Sequence, residues 1–440
     1  MLFGANTRIT EHLLIDTIRN RLASSISNKV YYGWPMVGVA ALCLFCSGPG
    51  QSHTFSVFIQ PITESLGVTK ASIATAYAVA TLLAAFLLPR AGVLLDRHGP
   101  RMTLIAIGSS LGLACMFFGA AANFLWLAVG FGLLRFLGQG STMMSAANLV
   151  SQWFQAKRGF AMSLMGFGFA ASMAIHPLLG ELLIDRFGWR IAWMLLGLLT
   201  WVLLLPAVVL LVHDKPEAIG LKIDGGAVDH EAGSEAPEVF GLTLQQAQTE
   251  RAFYLLCMVW FVVGGLIAVM HFFQVTVLSG KGLDASLGAR LFTVSALTAV
   301  ITMPFIGRLY DTLKTRFVIA IQFCLIAMAL VAITLVQGVL SGMVYAAIFG
   351  LCNAFMLTMF GYIWPRYFGR AHLGSIQGKG QMVGVVGASL APVPVGYAID
   401  KFGSASATLW VLALIALATA VITVMFLRTP EGVEYPAGLE

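Results

Sequence analysis

The chain has 440 residues, 58% of them hydrophobic and 10% charged, with a formal net charge of +6. A soluble domain carries roughly 25% charged residues, so this composition excludes a fold with a polar surface in water and implies an integral membrane protein. The excess of positive charge is read as a signal of membrane topology and not of nucleic-acid binding.

A helix needs about 20 apolar residues to cross the hydrocarbon core. Twelve stretches meet that need: 35–59, 71–91, 102–121, 123–149, 158–184, 190–213, 253–279, 287–309, 317–337, 340–364, 373–398 and 405–428. Five segments follow. Residues 1–34 form a cytoplasmic N-terminal segment, 35–213 a first six-helix bundle, 214–250 a cytoplasmic linker, 251–428 a second six-helix bundle and 429–440 a cytoplasmic tail. The fold class expected is an all-α membrane protein of twelve transmembrane helices in two pseudo-symmetric bundles.

Residues before Tyr31 contain no signal-peptide pattern, since Glu11, Asp16 and several arginines interrupt any apolar core. Leu14, Ile18, Leu22 and Ile26 recur at helical spacing, which suits either a helix on the inner membrane surface or a free tail. Tyr32-Gly33-Trp34-Pro35 opens span 1 with interfacial aromatics and a proline suited to a first helical turn. Gly48-Pro49-Gly50 then breaks that span, just before Gln51, Ser52, His53 and Thr54. Broken backbone at membrane depth is tolerated where it lines a cavity or packs against neighbours.

Between spans 2 and 3 lies Gly92-Val93-Leu94-Leu95-Asp96-Arg97-His98-Gly99-Pro100-Arg101. Gly92 permits close helix approach, Asp96 can accept backbone N–H groups at a helix end, and Arg97 and Arg101 are charges expected in a cytoplasmic turn. The pattern returns as Gly307-Arg308-Leu309-Tyr310-Asp311 with Arg316 following, at an offset of 215 residues (307 − 92; 311 − 96; 316 − 101). The same offset relates Ile184-Asp185-Arg186-Phe187-Gly188 to Ile399-Asp400-Lys401-Phe402-Gly403, Pro177 to Pro392 and Gly159 to Gly374. One register at four places means a duplicated half. Thr312 and Lys314 replace the residues matching Arg97 and Gly99, so a lock is expected less firmly at the second copy than at the first.

Basic residues set the orientation. With the N-terminus inside, eighteen of the 26 lysines and arginines fall on cytoplasmic segments, six on the opposite side, and Arg135 and Lys379 within spans. Both termini are therefore expected in the cytoplasm, in a multi-pass protein of the plasma (inner) membrane.

An ionised side chain within the bilayer costs roughly 2.5–3.5 kcal/mol on insertion scales, so each embedded cation needs a partner, water or a route outward. Glu181, near the outer end of span 5, is the acidic residue inside a span, and no carboxylate stands near Arg135 in sequence or depth. Two embedded cations without a matching anion point to a negatively charged ligand, against the alternatives that Arg135 bonds backbone carbonyls and Lys379 snorkels. His53, His176 and His271 lie within spans, with Tyr77, Gln274 and Asn353 as further polar candidates for a central cavity. Cys43-x-x-Cys46 resembles a redox or metal motif but reads better as two small packing residues in an apolar helix. No nucleotide-binding loop, nucleophile–base grouping or metal-ligand cluster stands out, so no enzyme activity and no cofactor are expected.

The loop spacing Gly-x-x-x-Asp-Arg-x-Gly-x-Arg resembles the signature between the second and third spans of the major facilitator superfamily of transporters. Arg135-Phe136-Leu137-Gly138-Gln139-Gly140 resembles a second signature of that family, and His176-Pro177-Leu178-Leu179-Gly180 partly matches its antiporter motif. Gly-Trp at the start of span 1 and Ser-Val-Phe-Ile-Gln-Pro-Ile at 56–62 are similar to the monocarboxylate transporter branch and its oxalate/formate antiporter relatives. By that alignment His53 stands where animal members carry a substrate-linked lysine, and Lys379 resembles a span 11 lysine in kind. Met303 stands where those relatives place a span 8 arginine, so their usual anion contact is missing.

The resemblance implies a secondary transporter working by alternating access on a small organic anion, a monocarboxylate first, with proton coupling open beside uniport and exchange. Substrate contacts are expected from Gln51, His53, Tyr77, Arg135, His271, Gln274, Asn353 and Lys379. Gating is expected from Gly92, Asp96, Arg97, Arg101, Gly307 and Asp311. The partners are then the anion, protons and the lipid bilayer around a monomer, with no nucleic acid. Efflux of drugs or metabolites, and a transporter-like sensor that binds without moving its ligand, are the other readings.

Overall fold

The computed structural model describes residues 17–68, 70–225, 240–283 and 285–430. Leu14, the middle of the linker and most of the tail lie outside the described residues. Residues 17–27 are helical; Ala23 packs into the core while Ile18 and Leu22 stay exposed.

Span 1 comprises Gly33–Cys46, a 3-10 turn at Gly48–Gly50, and Ser52–Leu66. Spans 2 and 3 run as Lys70–Gly119, divided at Gly99, whose φ of 75° is open to glycine and strained for other residues. Span 4 is Phe124–Leu134, a π-helical stretch Arg135–Thr142, and Met143–Trp153. Spans 5 and 6 run as Arg158–Leu211, divided at Gly188 with φ 76°. Spans 7 to 10 are Arg251–Ser279, Ala285–Thr312, Thr315–Leu335 and Val339–Phe368. Span 11 is Leu373–Leu390 continued by Pro392–Phe402, and span 12 is Ser406–Phe426.

Nine helices among the described residues are long and apolar enough to cross a membrane, and two of them, of 45 and 54 residues, hold two spans each. With the broken span 1 the total is twelve. The second repeat turns at the position of Gly99 with Lys314 at φ −59°, which needs no glycine. That explains how the loop glycine was lost there without loss of the turn.

The repeats meet where span 2 packs on span 11 and span 5 on span 8. Both crossings use glycine. A Cβ on Gly374 would stand 2.5 Å from the Gly92 carbonyl oxygen, and one on Gly307 would stand 2.6 Å from that of Gly159. A large apolar core extends through both bundles, and a second core of Phe55, Phe58, Phe118, Phe131 and Trp193 fills the first bundle alone. Leu83, Leu125, Ile301 and Leu340 are exposed on the outside, the inverse of a soluble surface and suited to lipid.

Candidate functional site

Two features stand out: a pair of carboxylate contacts between the bundles, and a polar cluster at the break of span 1. In the first, Asp96 accepts the backbone N–H groups of Gly374 at 2.6 Å and Ser375 at 2.7 Å, and the Ser375 hydroxyl. These are first-turn donors of span 11, which have no partner within their own helix. Asp311 does the same at the start of span 5, accepting from Gly159 at 2.6 Å and Phe160 at 2.9 Å. Each carboxylate also faces the positive end of a helix dipole. The second copy thus keeps the Asp311 contact although the residues matching Arg97 and Gly99 are lost. Arg97 is exposed, while Arg101 donates to the Val209 carbonyl at 3.3 Å.

The described ends of residues 214–250 dock on this same face, called here the linker face. Asp214 accepts the Arg101 N–H at 2.7 Å; burial raises its carboxyl pKa, and that hydrogen bond opposes the rise. Asp224 accepts from Gln155 and Ala156 in the loop after span 4. Glu217 pairs with Arg370, which also donates to the Gln152 carbonyl at 2.8 Å, so the linker joins residues of both bundles.

At the break of span 1, Gly50 packs against span 4, where a Cβ would lie 2.7 Å from the Gly138 Cα. That close approach brings the Gly50 carbonyl to Arg135. Arg135 is buried, donates from Nη1 to Gly50 O at 2.9 Å and from Nε to Thr81 Oγ1 at 3.0 Å, and lies 4.9 Å from the Tyr77 ring centroid. Tyr77 Oη is 2.7 Å from Ser52 Oγ. All these partners are neutral. Gln51 turns the other way, donating to Ser47 Oγ at 3.2 Å.

On the opposite side of the break, His53 Nε2 lies 3.1 Å from Ser172 Oγ, which lies 3.2 Å from His176 Nδ1. The His176 ring packs against Gly48 and Phe45. A histidine–serine–histidine chain thus touches both sides of the 3-10 turn whose last carbonyl holds Arg135.

The profile described as Major Facilitator Superfamily matches residues 40–392 and 282–438. This chain belongs to that superfamily. Similar proteins include the oxalate:formate antiporter of Oxalobacter formigenes, 27% identical over 168 residues, covering 38% of this chain and 40% of that protein. Monocarboxylate transporter 11 of Homo sapiens is 29% identical over 171 residues, covering 38% of this chain and 36% of that protein. The matched region therefore spans only about two fifths of these two relatives. Among solved structures, the human organic anion transporter TETRAN aligns with a TM-score of 0.65 at 13% identity, covering 89% of this chain and 99% of that one. The E. coli fucose:proton symporter aligns at 0.64 and 17%, covering 90% and 98%. At those identities the likeness shows the superfamily fold.

Within that fold the expected site residues divide. Tyr77 and Arg135 come together, with His53 close by across the broken helix; Ser52, which was not among the expected residues, joins them through Tyr77. In the second bundle, His271 is exposed, holds the Ile267 carbonyl within 2.9 Å of Nδ1 and stacks near Phe292. Asn353 is half-buried and donates to the Phe349 carbonyl. Gln274 is fully buried, donating to Gly288 O at 2.8 Å and accepting from Tyr345 Oη at 2.9 Å, so its amide serves packing of spans 7, 8 and 10. Lys379 is half-buried near Cys257, and no contact among the described residues joins it to Arg135.

Sequence reasoning missed four polar groups. Thr81 stands one turn after Tyr77, and Ser172 one turn before His176, a spacing that could have flagged both. Gln377 and Gln381, neighbours of Lys379, are the buried polar residues of span 11. Gln381 accepts from Trp260 Nε1 at 3.2 Å, and neither amide atom of Gln377 has a partner among the described residues. Cys43 and Cys46 are both buried and unbridged, and no metal-ligand group occurs among the described residues.

Proposed function

We propose that this superfamily member moves a small organic anion, a monocarboxylate first, across the membrane by alternating access. The observation that carries this reading is Arg135, a buried guanidinium whose partners among the described residues are all neutral. A carboxylate arriving beside it supplies the missing charge and a strong, charge-assisted hydrogen bond. Of its five N–H donors Arg135 gives one to Gly50 O and one to Thr81 Oγ1, so three remain to pair with a carboxylate. The bond to Gly50 ties that pairing to the break in span 1.

In this reading the linker face is cytoplasmic and the conformation is closed there. The Asp96 and Asp311 contacts hold spans 11 and 5, and the two glycine crossings bring the bundles together. Inward opening breaks both contacts and exposes the N–H groups they satisfied. Gly92, Asp96, Gly307 and Asp311 form the gate, with Arg101 securing the turn and Arg97 on its surface. Coupling to protons runs through His53, which stands at the break of span 1 with Ser172 between its Nε2 and His176 Nδ1 as a path for a proton.

Proteoliposomes containing the purified chain test this directly. Labelled acetate, lactate and oxalate should enter at rates that Arg135→Gln reduces at least tenfold. Uptake of none of them, or uptake that Arg135→Gln leaves unchanged, would sink the anion reading.

A further inference from the structure

Away from the path between the bundles, the linker face carries a cavity of about 320 Å³ at the ends of spans 9, 10 and 12. Its lining includes Lys314, Thr315, Arg316, Arg366, Tyr367 and Arg428, four cations with no acidic residue lining it among the described residues. Arg366 is 6% exposed and Tyr367 2%, so the charge reaches well below the surface. Four like charges gathered around one space, Arg366 buried and Lys314 and Arg316 half-buried, repel one another and favour an anion among them.

Two independent features say what kind of anion fits. The Nε of Arg316 is buried without a hydrogen-bond partner among the described residues, and its guanidinium lies 5.0 Å from the Phe317 ring centroid. Span 9 begins in this cavity at Thr315, and Lys314 at its N-cap gives no side-chain cap. Uncapped N–H groups at the positive end of a 21-residue helix, beside planar guanidinium donors, match the oxygens of a phosphate.

We propose that this cavity binds a phosphate group, either on the headgroup of an anionic lipid or as free phosphate. The site lies where three spans end, and such basic pockets between helix ends are suited to phospholipid headgroups. It is separate from Arg135 and stands whether or not the transported solute is an anion.

The test uses the full chain in phosphatidylcholine nanodiscs, with melting followed by tryptophan fluorescence. One arm replaces part of the lipid with phosphatidylglycerol; the other titrates inorganic phosphate. The paired variant Lys314→Gln with Arg428→Gln removes two cations from the less buried part of the cavity, and Arg316→Gln removes the guanidinium whose Nε has no partner among the described residues. Phosphatidylglycerol should raise the melting temperature of the wild type, and each variant should need about tenfold more of it for the same shift. The same pattern with inorganic phosphate alone supports the site with free phosphate as its occupant. No protection by either probe, or protection undiminished in both variants, overturns the proposal.

Discussion

Gly92 and Gly374 meet backbone to backbone, so closely that a Cβ on either would collide with the carbonyl oxygen of the other. Only two helices without side chains at this level can approach so far. The Asp96 carboxylate reaches the Gly374 and Ser375 N–H groups because this crossing brings it there. Gly374→Val should therefore hold the linker face open. The measurement is maleimide labelling of a cysteine at Ser163, a buried residue of span 5 packed against Gly307 at the other crossing, in a background without the six native cysteines. Labelling should accelerate several-fold in Gly374→Val, and an unchanged rate would show that the crossing does not close this face.

Asp96 and Asp311 make like contacts at separate places, so their effects should add. Asp96→Asn and Asp311→Asn should each weaken closure by about 1 kcal/mol, in the range of a carboxylate at a helix N-terminus. The double variant should lose about twice that. Accessibility at Ser163 measures all three, and a silent Asp311→Asn would return the second copy to a remnant without function.

Arg135 needs a fork to hold Gly50 O and Thr81 Oγ1 together. Lysine keeps the charge but lacks that planar geometry. Arg135→Lys should raise KM for carboxylate uptake about tenfold while keeping some transport, and Arg135→Gln should remove most of it. Equal activity in both variants would mean that charge at this position does not select the solute.

If protons drive accumulation, the route through Ser172 is open to a small change. Ser172→Ala removes the hydroxyl between His53 and His176 but leaves both rings. An imposed pH gradient should then fail to concentrate substrate in Ser172→Ala or in His53→Gln proteoliposomes, while counterflow exchange continues. Gradient-driven accumulation that survives in His53→Gln would exclude this chain of groups as the carrier.

Much of the architecture was legible in the sequence because crossing a bilayer imposes a minimum apolar length and a duplication leaves a constant offset. The break at Gly48–Gly50 was legible for the same kind of reason, since proline and glycine act locally. Contacts across the chain were not. Asp96 finds Gly374 from 278 residues away, and His53 finds Ser172 from 119. Nor does composition reveal what a polar side chain in an apolar helix bonds to. Gln274 looked like a cavity residue but spends its amide on Gly288 and Tyr345. On span 11 the charge is that of Lys379, whereas Gln377 carries the buried amide without a partner among the described residues.

The two carboxylate contacts relate the repeats reciprocally: the aspartate of each half grips the helix start of the other, and the glycine crossings are exchanged in the same way. That is the form of an isologous two-fold interface, in which a patch is complementary to its own copy. Joined in one chain, the two halves need share only those contacts, and their turns differ: Gly99 stands at φ 75° in one and Lys314 at φ −59° in the other.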